Sequence, residues 1–102
     1  MLKLSPPQLI KMVRQPDTML LDVRESCELF RDGRIERAIH IPMASVSHCL
    51  EEISVMKRSV VVFCKRGVRS AKVQEYLVQQ GIREVYDGGG YENIKAILEY
   101  SL

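Results

Sequence analysis

With 102 residues, 46% of them apolar and 27% charged, the chain can bury one modest core without help from disulfides or a metal. Its formal net charge is +2, but the remainder carries −1 once Lys65, Arg66 and Arg69 are set aside. Positive charge confined to one loop suits a small anion and excludes the extended basic stripe that nucleic acid requires. Three cysteines without a CxxC pair form no disulfide framework, and with the two histidines they lack metal-ligand spacing. They point to a reducing compartment, the cytoplasm, and to no metal or cofactor.

The opening stretch, MLKLSPPQLI, has no apolar leader and breaks at two prolines, so neither a signal peptide nor a membrane-spanning helix is expected. Ser5 as cap, Pro6 at the first helical position and Gln8 as the return half of a capping box predict a helix, with Leu9, Ile10 and Val13 on its inner face. TMLLDV predicts a buried strand ending at Asp22. SCELFRDG predicts a short helix or turn closed by Gly33, and AIHIP a brief strand stopped by Pro42. In SVSHCLEEI, Val46, Cys49, Leu50 and Ile53 recur at helical spacing.

SVVVF, β-branched and apolar, predicts a strand covered on both faces. SAKVQEYLVQQG predicts a helix with Val73, Tyr76 and Leu77 inward and Gly81 at its C-terminal cap. REVYD predicts another strand, Gly88 to Gly90 a tight turn, and YENIKAILEYSL a closing helix with Tyr91, Ile94 and Leu98 on one side. Strand and helix alternate from end to end. The expected class is α/β, a central parallel sheet of four or five short strands with helices on both faces.

In such a sheet, sites form beyond the carboxyl ends of the strands, and Cys64 stands at one of them, directly after VVVF. The loop after it, KRGVR, holds three cations and a glycine that lets backbone amides turn inward. A helix begins around Arg69 and Ser70, so unpaired N–H groups face the loop. Each feature favours the thiolate, and the thiolate is the nucleophile. The same features make an anion site.

Other candidates read more plainly. Asp22 and Arg24, at the end of a neighbouring strand, suit an ion pair that braces the site. Cys49 lies on the apolar stripe of its helix and reads as core, while Cys27 has only Arg24 and Arg31 for basic neighbours. His48 falls on a polar helix face and His40 inside a strand, and neither is needed as a base if the loop holds the thiolate. The glycines at 88–90 have the wrong spacing for a dinucleotide site, and the four tyrosines are not interleaved with cations, so base stacking has no support.

These stretches together resemble the single-domain rhodanese-like sulfurtransferases. LLDVRESCELFRDGRI resembles that family's first signature, AIHIP its Ala-x-x-Ile-Pro segment, VVVFCKRGVRSAKVQEYLVQQGIREVY its active loop with the following helix and strand, and GGGY its Gly-Gly turn. The resemblance runs from about Leu4 to Ile94. It departs from the family at Arg34, where a histidine is usual, at Glu36 and Arg37, where Pro-Gly is usual, and at Asn93 or Ile94, where a tryptophan often stands.

The resemblance implies a single rhodanese-like domain over residues 1–102. It also implies a sulfurtransferase that carries a sulfane sulfur as a Cys64 persulfide. The donor would be thiosulfate or a similar small anion, and the acceptor cyanide, a thiol or a protein, with no nucleic acid or membrane partner. Lys65, Arg66, Gly67, Val68 and Arg69 would bind the substrate, and Asp22, Arg24 and Ser70 would support the site. Two rival readings are a weakly active interaction or sulfur-relay module serving a protein partner, and a phosphatase. Cysteine phosphatases sharing this fold use a Cys-x5-Arg loop, whereas the spacing from Cys64 to Arg69 is Cys-x4-Arg, too short a ring for a phosphoryl group.

Overall fold

The structure, a computed structural model, describes residues 3–56 and 58–100. Met1 and Leu2 of the opening stretch, and Ser101 and Leu102 of the closing one, lie outside the described residues. The elements run α1 (Pro6–Arg14), β1 (Met19–Asp22), α2 (Ser26–Asp32), β2 (Ile39–His40), a 3-10 helix (Met43–Cys49), α3 (Leu50–Val55), β3 (Val60–Cys64), α4 (Val68–Gln79), β4 (Val85–Gly90) and α5 (Tyr91–Glu99). The four strands form one parallel sheet in the order β2-β1-β3-β4.

Side chains alternate across the pleat, so β3 feeds two cores. Val60, Val62 and Cys64 face one side, with Val46, Ile53, Val73 and Leu77. Val61 and Phe63 face the other, with Val13, Tyr91, Ile94 and Ile97. The expected sheet, covered on both faces, is present with four strands. The alternation also decides that the Cys64 side chain leaves the sheet on the α4 side.

The α1 start is as expected: Ser5 Oγ accepts from the Gln8 N–H, and Gln8 Oε1 accepts from the Ser5 N–H at 2.9 Å. Three local expectations are corrected. Ile10 is exposed, and Met12 packs inward instead. The amphipathic stretch 45–53 is split, 3-10 through Cys49 and α-helical after it, although Val46 and Ile53 are buried as expected. On α5 Tyr91 and Ile94 are buried and Leu98 packs against the same core as expected, with Ile97 a further buried position.

Gly88 to Gly90 are not a turn. They complete β4, with a register shift opposite Val62 and Phe63. A Cβ on Gly88 would sit 2.6 Å from Val61 Cγ1, and one on Gly90 2.7 Å from the Lys65 carbonyl oxygen. Glycine is there because β4 runs tight against β3 and against the loop that follows it.

Candidate active site

Cys64 is the last residue of β3 and is 1% exposed. Gly67, at φ +99°, turns the chain into α4 and is its N-terminal cap. Its N–H donates to Cys64 Sγ at 3.0 Å. Burial alone would push the thiol up. The Ser70 hydroxyl and the backbone N–H groups of Ser70, Gly67 and Arg66 outweigh it and hold the thiol below its ordinary value. Cys64, Lys65, Arg66, Val68 and Arg69 line an open cavity of ≈ 370 Å³ at this strand end.

The three loop cations have different surroundings. Arg69 makes a two-pronged ion pair with Glu28 of α2, at 2.6 and 2.9 Å. That guanidinium holds the Glu28 carboxyl down to about 2, against burial. Lys65 Nζ lies 3.7 Å from Asp32 at the other end of α2. Arg66 has no ion pair among the described residues and stands exposed at the cavity. Of the cations expected to meet an anion, Arg66 is thus the one left uncommitted, while Arg69 lines the cavity already joined to a carboxylate.

Asp22 and Arg24 pair in the interior, Nη2 to Oδ2 at 2.7 Å and Nε to Oδ1 at 3.0 Å. Asp22 Oδ1 also accepts from the Arg24 backbone N–H, and Arg24 Nη2 donates to the Gly33 carbonyl at 3.0 Å. The pair ties β1 to the end of α2, the element that carries Glu28 and Asp32. It does not line the Cys64 cavity. The Arg24 guanidinium lies 4.0 Å from the centre of the Tyr91 ring, so one tyrosine does meet a cation, but in the interior where no base could stack.

Ser70 is fully buried, with Oγ 3.5 Å from Cys64 Sγ. His40 Nε2 bonds the Arg24 carbonyl oxygen at 2.7 Å, and His48 is exposed. Cys27 is exposed and Cys49 half-buried against the core. No group of three metal-ligating side chains exists among the described residues, and no described helix is long and apolar enough to cross a membrane.

Two polar residues of the site escaped sequence reasoning. Glu28 is the carboxylate that holds Arg69. Asp87 accepts from the Ser70 hydroxyl at 2.6 Å and from the Gly89 N–H at 2.9 Å. Asp87 carried one usable signal: it is the last residue before the glycines at the carboxyl end of a parallel strand, the same sheet edge as Cys64.

The rhodanese-like domain family model matches residues 5–97. The chain belongs to the rhodanese-like domain family. Thiosulfate sulfurtransferase GlpE of Coxiella burnetii is 33% identical over 87 residues, which cover 84% of this chain and 79% of that one. Among solved structures, SSP1007 from Staphylococcus saprophyticus is 34% identical, with a TM-score of 0.66 over 76% of this chain and 75% of that one. The human single-domain sulfurtransferase TSTD1 matches with a TM-score of 0.71 over 98% of this chain and 97% of its own; at 22% identity it speaks to the fold alone. The expected rhodanese-like α/β fold is therefore the observed one.

Proposed function

We propose that this rhodanese-like domain, acting as one unit over residues 1–102, is a sulfurtransferase with Cys64 as the sulfur carrier. The observation that carries the proposal is the Gly67 N–H at 3.0 Å from Cys64 Sγ, in a loop whose amides surround a buried sulfur at the mouth of a cationic cavity. Such a nest stabilises an anionic sulfur without a metal or a general base. The thiosulfate sulfurtransferase relative, alike over most of both chains, supports the same reading.

In the first half-reaction the Cys64 thiolate attacks the outer sulfur of thiosulfate. The S–S bond of the donor breaks, sulfite leaves with the electron pair, and Cys64 holds the sulfur as a persulfide. In the second half-reaction cyanide or a thiolate attacks the terminal sulfur, and Cys64 leaves as the thiolate. Arg66 draws the anionic donor to the cavity, and Lys65, Gly67, Val68 and Arg69 shape the cradle. Asp22, Arg24 and Ser70 support it. The cytoplasm, where thiols stay reduced, suits this chemistry. A small anionic donor and a cyanide, thiol or protein acceptor suit the cavity.

The phosphatase alternative is disfavoured by the same loop. Between Cys64 and Arg69 only four residues intervene, and the guanidinium that would clamp a phosphoryl group is already on Glu28. Intact mass after incubation with thiosulfate tests the proposal. The expected result is a gain of one sulfur atom, removed by cyanide and absent in Cys64→Ser. No gain with thiosulfate or any other sulfane donor, while a partner protein still binds Cys64→Ser, would favour the interaction module instead. Cys64-dependent hydrolysis of p-nitrophenyl phosphate rivalling sulfur transfer would favour the phosphatase.

A further inference from the structure

The Ser70 hydroxyl carries a single proton; Asp87 and the Gly67 carbonyl accept it, the Cys64 thiol donates to its oxygen, and an ionised Cys64 would be a third acceptor. Asp87 Oδ1 lies at 2.6 Å, the Gly67 carbonyl at 3.1 Å and Cys64 Sγ at 3.5 Å. The short bond to a carboxylate is the strongest of the three. The Gly89 N–H at 2.9 Å holds that same carboxylate oxygen in place. While the proton points at Asp87, Ser70 Oγ turns a lone pair toward Sγ. That arrangement accepts an S–H bond and withholds from the thiolate part of the stabilisation the Ser70 hydroxyl can give it. Ser70 stabilises the thiolate fully only when its proton turns away from Asp87.

A persulfide has different needs. Its negative charge sits on the outer sulfur, about 2 Å beyond Sγ along the new bond. Ser70 is fully buried and Asp87 does not line the cavity, so the added sulfur must extend away from both, toward the loop amides and Arg66. Sulfur uptake therefore moves charge away from Asp87. We infer that Asp87 is a positioning residue that competes with the Cys64 thiolate for the Ser70 proton and so favours the loaded persulfide over the bare thiolate.

The inference rests on the persulfide chemistry proposed above. The other charged groups around the site are engaged elsewhere or face the cavity. Arg69 of α4 is on Glu28 of α2, Lys65 is near Asp32, Asp22 of β1 is on Arg24, Tyr91 of α5 packs on Arg24, and Arg66 is exposed. None of them competes for the Ser70 proton.

The test uses Asp87→Asn, which keeps an acceptor for the Gly89 N–H but removes the charge, and Asp87→Ser as a second uncharged variant in case the first fails to fold. Iodoacetamide alkylation of Cys64 is followed against pH in the wild type, each variant, Ser70→Ala and the double variants. Removing the Asp87 charge is expected to lower the Cys64 midpoint by about one pH unit, and by clearly less in the Ser70→Ala background. Persulfide occupancy at a fixed ratio of thiosulfate to sulfite is expected to fall by about tenfold in equilibrium constant. A midpoint that stays or rises in a folded variant overturns the inference. An equal drop with and without Ser70 overturns the shared-proton route, because Asp87 would then act through space alone. If the wild type takes no sulfur, the sulfurtransferase reading fails, while the alkylation midpoints still decide whether Asp87 competes for the proton.

Discussion

At the scale of single residues, exposure and hydrogen bonding single out different cysteines. Cys27 is exposed and Cys64 is 1% exposed, yet Cys64 alone receives the loop N–H groups. Its folded pKa is depressed, so the thiolate survives as pH falls below the roughly 8.5 of a free thiol and is lost only on passing the lower folded value. At mildly acidic pH, iodoacetamide is expected to label Cys64 before Cys27 and Cys49, as read by peptide mass; labelling in order of exposure would contradict this. Arg66 makes a second case. Because it has no ion pair among the described residues, Arg66→Ala should leave the melting temperature nearly unchanged. It should raise KM for thiosulfate about five- to tenfold and flatten the salt dependence of the rate. Steady-state kinetics at two ionic strengths would reveal the change.

At the scale of elements, α2 and β4 hold the loop from two sides. The Arg69–Glu28 pair links α4 to α2. Glu28 is held down to about 2 from an ordinary 4.5, so the stability it contributes is complete above about 4.5 and is lost as pH falls toward 2. Arg69→Ala should remove that part of the acid sensitivity, seen as a shallower fall of urea midpoint with pH over this window. On the other side, the β4 glycines separate packing from function. Gly88→Ala would press on Val61 and Ile94 and should cost about 1–3 kcal/mol in urea denaturation. Gly90→Ala would press on the Lys65 carbonyl and displace the loop. Its main effect should be on turnover, a loss of about a hundredfold from misplaced amides. Equal effects of both substitutions on turnover and stability would show that the two glycines are not so divided.

For the whole molecule, the buried Asp22–Arg24 pair joins the sheet to the end of α2. Arg24→Ala would strand a carboxylate in the interior and should cost about 3–5 kcal/mol. Replacing both partners together, Asp22→Leu with Arg24→Met, should recover much of that loss, because an apolar pair leaves no charge unpaired. Denaturation of the single and double variants gives the comparison. Arg37, at a position where the resembled family usually has Pro-Gly, donates to the Val13, Gln15 and Thr18 carbonyls at 2.6, 2.6 and 2.9 Å. It ties off the C-terminal end of α1. Ile94, beside the missing tryptophan, is fully buried in the core against α1. Both departures serve the scaffold and leave the Cys64 loop untouched.

Local chemistry made much of this legible in the chain itself. The capping box at Ser5, the apolar run ending at Asp22, the β-branched run into Cys64 and the cations after it depend on neighbours a few residues away, and their positions agree with expectation. The helix split at Cys49 was not legible, because 3-10 and α-helices bury nearly the same positions over so short a span. Nor was the role of the three glycines, which reads as a turn until β3 is known to lie against them. Tertiary structure alone decided which loop cation has no ion pair among the described residues and which carboxylate meets the Ser70 hydroxyl. Glu28 is 41 residues from Arg69, and Asp87 is 17 from Ser70. Only the parallel sheet, by bringing the carboxyl ends of β1, β3 and β4 to one edge, lets those carboxylates reach Arg69 and Ser70 beside the Cys64 loop.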